Sequence, residues 1–180
     1  MSDTQTQNYT FVLMGVSGSG KSVVANGVAQ KINAAFLDGD FLHPRANITK
    51  MASGQALNDE DRQPWLSALN DAIFAMQRTN SISLVVCSAL KKSYRDKLRE
   101  GNKNLYFIYL KGDAELIETR LKARKGHFFK PEMLLSQFQT LQEPTSAEPD
   151  VLVVDIRPSL DEVIENTCLT IERIVSGENS

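Results

Sequence analysis

Thr10-Phe11-Val12-Leu13-Met14-Gly15-Val16-Ser17-Gly18-Ser19-Gly20-Lys21-Ser22 is an apolar run that opens into a glycine-rich turn closed by lysine and serine. Gly15 to Ser22 fits the phosphate-loop pattern G-x-x-x-x-G-K-[ST]. The apolar half reads as a strand. Behind the turn, Lys21–Ile32 carries Val24, Ala25, Val28, Ala29 and Ile32 at helical spacing. Strand, loop and helix in that order have a physical use. Glycines let backbone N–H groups converge on phosphate oxygens without side-chain clash, and the helix N-terminus turns its positive dipole end toward them. The pattern predicts a nucleoside triphosphate site, with Lys21 reaching the β- and γ-phosphates and the Ser22 hydroxyl ligating Mg2+.

On either side of the loop, apolar runs alternate with helical stripes. Ala34–Leu37, Ile82–Cys87, Leu105–Leu110 and Val151–Val154 read as further strands. Helices are expected over His43–Met51, from an Asn58 N-cap to about Arg78, and over Lys91–Arg99, Asp113–Arg124, Pro131–Leu141 and Ser159–Val175. The strands are continuously apolar rather than alternating, so both faces should be covered. Strands separated by helices imply crossovers and a parallel sheet, hence a three-layer α/β/α sandwich of about five strands.

The chain has 180 residues, 42% hydrophobic and 23% charged, which suits one domain over 1–180 and excludes disordered, collagen-like and coiled-coil classes. Residues 1–8 read as a polar tail and 176–180 as a frayed end. No apolar run approaches the roughly 20 residues of a membrane span, and the N-terminus lacks a basic-then-apolar leader, so a cytoplasmic protein with no membrane partner is expected. The formal net charge of −2 argues against a nucleic-acid partner. Cys87 and Cys168 fit no metal spacing and read as reduced, buried thiols.

A phosphate loop alone leaves kinase, GTPase and motor ATPase open. Asn102-Lys103-Asn104-Leu105 lacks the Asp of a guanine-recognition motif, and the acid after Val151–Val154 comes too late in the chain for a motor. A small-molecule kinase remains. Asp38-Gly39-Asp40 ends the second strand, where ligands of parallel sheets gather. Asp38 is expected to hold Mg2+ through water, and Asp40 to orient or deprotonate an acceptor hydroxyl. His43, Arg45, Lys50 and Arg62 follow, and Lys91, Lys92 and Arg95 begin just past the third strand. Cations there suit an anionic acceptor, most simply a carboxylate, with Lys91, Arg95 and His43 as candidate partners. Arg120 and Arg124 lie four apart on one helical face ahead of Lys125-Gly126-His127-Phe128-Phe129-Lys130. A lid over about 122–131 that closes these arginines onto the phosphates is expected.

Gly15–Ser22, Asp38-Gly39-Asp40-Phe41-Leu42-His43-Pro44, Asn47, Lys50-Met51, Leu57-Asn58-Asp59, Asp61-Arg62, Pro64-Trp65-Leu66 and Cys87-Ser88-Ala89-Leu90-Lys91-Lys92 together resemble the gluconate kinase family, in particular its thermoresistant enteric-bacterial type. Tyr94-Arg95, Arg120, Gly126-His127-Phe128, Ser136-Gln137-Phe138 and Glu143-Pro144 extend the likeness over about residues 9–175. The resemblance implies a nucleoside monophosphate kinase-like fold of the shikimate kinase-like group. It also implies ATP and Mg2+ as cofactors, a homodimer, and transfer of the ATP γ-phosphoryl group to the 6-hydroxyl of D-gluconate. By the same likeness Asp40, Arg62 and Gln137 touch the acceptor, Asp38 serves the metal, and Asp155-Ile156-Arg157-Pro158 borders the adenine. Two other readings stay open: a kinase of another small hydroxy acid such as shikimate, and a non-catalytic nucleotide-binding regulatory module.

Overall fold

Each apolar run becomes a strand of one sheet in the computed structural model, which describes residues 7–124 and 130–177. The strands are β1 (Tyr9–Met14), β2 (Ala35–Asp38), β3 (Ile82–Val86), β4 (Leu105–Lys111) and β5 (Val151–Asp155). They pair in the order β2-β3-β1-β4-β5, every pair parallel. The chain leaves β1 toward one side for β2 and β3, then crosses to the other for β4 and β5. The phosphate loop therefore sits at the carboxyl end of the strand where the order reverses, the position at which open parallel sheets bind ligands.

Among the described residues seven α-helices cover the sheet: α1 (Lys21–Ile32), α2 (Arg45–Ala52), α3 (Asp59–Thr79), α4 (Lys92–Arg99), α5 (Ala114–Ala123), α6 (Pro131–Thr140) and α7 (Leu160–Val175). Successive strand residues point to opposite faces, and the core divides accordingly. Phe11, Leu13, Leu84 and Ile108 pack with Val24 and Val28 of α1 and with Val163 and Cys168 of α7. Val12, Met14, Val85 and Phe107 pack with Trp65, Leu66 and Leu69 of α3 and with Tyr94 and Leu98 of α4. This is the expected three-layer sandwich. Cys87 and Cys168 are buried free thiols, and burial pushes Cys87 up to about 12.

Local chemistry sets the helix starts. Asn58 accepts from the Asp61 N–H while the Asp61 carboxylate accepts from the Asn58 N–H, a reciprocal cap that fixes the first turn of α3. Ser159 and Glu162 do the same for α7. The turn after β2 is one element that the sequence pattern does not show. Gly39–Leu42 forms a 3-10 helix capped by Asp38, whose Oδ1 accepts from the Asp40 N–H at 3.0 Å. Gly39 is required there, because a Cβ would meet the Val86 carbonyl oxygen at 2.3 Å. The expected lid over 122–131 falls mainly on 125–129, including His127, and lies outside the described residues, as does most of the polar tail.

Candidate active site

The phosphate loop is held open by its backbone. Gly18 and Gly20 adopt φ of 81° and 94°, left-handed values that glycine takes at little cost. Gly20 caps α1 without a side chain, leaving the first N–H groups of that helix facing the loop. Lys21 Nζ donates to the carbonyls of Gly15 and Val16, each at 3.0 Å. Burial lowers its pKa to about 8 against the opposing pull of Asp40, Cys87 and Asp38. The Ser22 hydroxyl lies 3.4 Å from Asp38 Oδ2. A hydroxyl and a carboxylate so close are hard oxygen donors that fit Mg2+, which keeps waters and takes few protein ligands. Among the described residues no cluster of three or more His, Cys, Asp or Glu forms a metal site of its own. The remaining ligands would have to come from water and nucleotide.

A cavity of about 270 Å³ opens beside the loop, lined by Gly18, Gly20, Arg120, Arg124, Ile156 and Pro158 among others. Arg120 is anchored to its far wall, donating to the Ile156 carbonyl at 2.6 Å and to that of Pro158 at 3.4 Å. Arg124 is exposed at the end of α5. Arg157 does not join them. It turns to the other side, pairs with Asp155 at 2.6 Å, and lines a separate cavity with Lys111 and Glu143. Side chains alternate along this extended segment, so Ile156 and Pro158 face the loop while Asp155 and Arg157 face away.

On the opposite side of the loop, Asp40 is exposed at the start of the 3-10 turn. It exerts a Coulombic pull on both Lys21 and His43. Trp65 fixes this turn by donating Nε1–H to the Gly39 carbonyl at 2.8 Å, and His43 stacks on the indole at 4.2 Å. Burial holds His43 below its ordinary pKa, so it is neutral at pH 7. Arg62 donates to the Leu57 carbonyl at 2.7 Å and to the Tyr94 hydroxyl at 3.2 Å. Lys91 reaches both oxygens of Asp59 at 2.9 and 3.0 Å, and Tyr94 donates to the same carboxylate. The bonds from Tyr94 and Lys91 hold Asp59 below the usual carboxylate range.

Two expected acceptor residues are elsewhere. Arg95 is fully buried, with Nε and NH2 on the Glu148 carboxylate at 2.8 Å each and further bonds to the carbonyls of Ala89, Leu90 and Gln142. Its donors are all committed to the protein, so it cannot meet a substrate carboxylate. Gln137 binds the phosphate loop: its Oε1 accepts from the Ser17 N–H at 2.6 Å, and its Nε2 donates to Ser17 Oγ at 2.9 Å. Both bonds place it against the phosphate loop and away from Asp40.

The shikimate kinase family matches residues 17–172. The thermoresistant gluconokinase of Escherichia coli K12 is 68% identical over 173 residues, which span 96% of this chain and 99% of that one. The chain belongs to the gluconokinase family. The thermosensitive gluconokinase of the same organism is 47% identical over 87% of this chain and 83% of its own. A crystal structure of a gluconokinase from Sinorhizobium meliloti 1021 matches with a TM-score of 0.84 at 38% identity, covering 94% of each chain.

Within this gluconokinase chain, Asp59, Tyr94, Trp65 and Asn47 carry part of the family resemblance, but sequence reasoning gave none of them a role in the site. Asn47 Nδ2 is 3.3 Å from His43 Nδ1 and donates to the Asp61 carbonyl at 2.9 Å, tying α2 to α3. Spacing held one clue. Asp59 precedes Arg62 by three positions and shares its end of the helix. Tyr94 gave none, because its partners lie more than thirty residues away in sequence.

Proposed function

We propose that this chain transfers the γ-phosphoryl group of ATP to the 6-hydroxyl of D-gluconate, giving 6-phospho-D-gluconate and ADP. The observation that carries the reading is 68% identity to a gluconokinase over nearly the full length of both chains. The geometry supports it: a phosphate loop on one side of Asp40, a cationic cluster on the other.

In this reading the loop N–H groups and Lys21 cradle the phosphates, while Arg120 and Arg124 approach them from α5. Mg2+, held by Ser22 and Asp38 with water and nucleotide, would neutralise phosphate charge. Arg62 takes the gluconate carboxylate, since among the described residues its side-chain partners are neutral. Stacked His43 is a neutral partner for acceptor hydroxyls. The 6-oxygen bonds to the γ-phosphorus as the bond to the β–γ bridging oxygen breaks, and the hydroxyl proton passes to Asp40. Alignment and charge stabilisation supply most of the rate.

Residues 1–180 act as one kinase domain, in a cytoplasmic homodimer. No helix among the described residues is long and apolar enough to cross a membrane, which is compatible with that location. Sedimentation at micromolar concentration tests the dimer. The reaction is tested by ADP release from ATP and Mg2+ with gluconate, shikimate, glucose or AMP. Stimulation by gluconate is expected. Stimulation by shikimate instead would keep the chemistry and overturn the acceptor, and no stimulation by any would leave a nucleotide-binding module.

A further inference from the structure

Three cations, Lys50, Arg62 and Lys91, gather on the acceptor side. Two are already neutralised: Lys91 by Asp59, and Lys50 by Asp61 at 2.5 Å. Arg62 has no carboxylate partner among the described residues. Arg62 is therefore the one member of this trio whose charge is not held in an ion pair among the described residues. Asp61 is structurally committed, because its carboxylate also completes the α3 cap. Asp59 has no such duty. Its side chain is 57% exposed, and its side-chain bonds go to Lys91 and Tyr94. Tyr94 links the two halves by accepting from Arg62 and donating to Asp59, and both Arg62 and Lys91 lie over its ring, at 5.5 and 5.6 Å.

We propose that Asp59 is a specificity-determining residue. By cancelling Lys91 it tunes the acceptor site to ligands carrying one negative charge and disfavours dianions. The inference rests on this cluster being the acceptor site, and it adds what that reading leaves open, the charge class admitted. Its physical basis is that specificity is a difference of affinities, obtained as much by removing attraction for the wrong ligand as by adding it for the right one.

The test reads binding rather than turnover, so it stands apart from the gluconate assignment. The chain has a single tryptophan, Trp65, stacked on His43 beside Asp40, and its fluorescence reports ligands at this site. Glycolate, a monoanion, and malonate, a dianion, are titrated into wild type, Asp59→Asn and Asp59→Asn/Lys91→Met. The ratio of glycolate Kd to malonate Kd should rise about tenfold in Asp59→Asn, the order expected for one partly exposed charge at short range, and return toward wild type in the double variant. An unchanged ratio in Asp59→Asn overturns the proposal. Lys91→Met alone is the converse and does not require the first variant to fold. It leaves Asp59 uncompensated and should weaken malonate more than glycolate; equal weakening also overturns the proposal. Failure of gluconate to stimulate ADP release, with the ratio shift intact, would sink the gluconate reading and leave this one standing.

Discussion

Replacing Glu148 with alanine should destabilise the protein more than any other single removal of a surface-loop carboxylate. Glu148 and Arg95 are 4% and 0% exposed, and they meet through two parallel bonds of 2.8 Å. The pair joins α4 to the loop between α6 and β5. The same guanidinium grips the carbonyls of Ala89, Leu90 and Gln142. Without Glu148 the guanidinium keeps those carbonyls and loses its counter-charge in the interior. Removing one partner of a buried pair costs about 3–5 kcal/mol. Three retained carbonyls argue for the lower end, about 3 kcal/mol. For a chain of this size each kcal/mol moves Tm by roughly 2–4 °C, so a fall of roughly 6–12 °C is expected by scanning calorimetry. Arg99, which also donates to Glu148 at 2.9 Å, retains Asp150 and Asp96 and should not add a second stranded charge. The control is Arg95→Met with Glu148→Leu. It should recover a good part of the loss, because two apolar groups leave no orphaned ion. The pH dependence follows from Arg95, whose bond holds Glu148 below the ordinary value of 4.5. That stabilisation is complete above the unfolded value and fades as pH falls through the folded one. The gap between wild type and Glu148→Ala should therefore narrow below about pH 4.5. A Tm change under about 2 °C for Glu148→Ala, or a double variant as unstable as the single, would refute the reasoning.

Asp40→Asn should lower kcat by orders of magnitude while ATP affinity changes little; near-normal turnover would remove Asp40 from proton transfer. Lys21, with its pKa lowered to about 8 by burial, loses charge as pH rises through that value. ATP affinity of the free protein should weaken between pH 7 and 9, and a flat titration by calorimetry would contradict this. Gln137→Ala should raise KM for ATP severalfold through loss of both Ser17 bonds and leave KM for gluconate unchanged; the reverse pattern would return Gln137 to the acceptor side. Gly39→Ala sets a Cβ against the Val86 carbonyl and should cost about 1–3 kcal/mol in urea unfolding, the range for overpacking a tight site.

The parts of the fold that were readable from the sequence rest on local chemistry. The run before Gly15, the stripe behind Lys21 and the Asn58 cap each carry their signal within a few residues. The turn at Gly39–Leu42 does not, because it depends on how closely a separate strand approaches. Arg95 shows the same limit in the site. Lys91, Lys92 and Arg95 look like one charged face, yet Arg95 lies between Tyr94 and Leu98 on the inward side, and its counter-ion is 53 residues away. Gln137 reaches a loop 120 residues upstream. Arg157 misled for a simpler reason: neighbours in an extended segment point opposite ways.

The polar side chains of the acceptor side, from Asp40 through His43, Asp59 and Arg62 to Tyr94, come from one uninterrupted length of chain. The nucleotide cleft instead combines the loop after β1 with α5 and the segment after β5. Recombination that exchanges 39–94 would thus carry a whole acceptor preference between relatives and leave nucleotide handling, Asp38 with Ser22 included, as inherited. The downstream junction has to fall before Arg95, since that arginine can be inherited only together with Glu148.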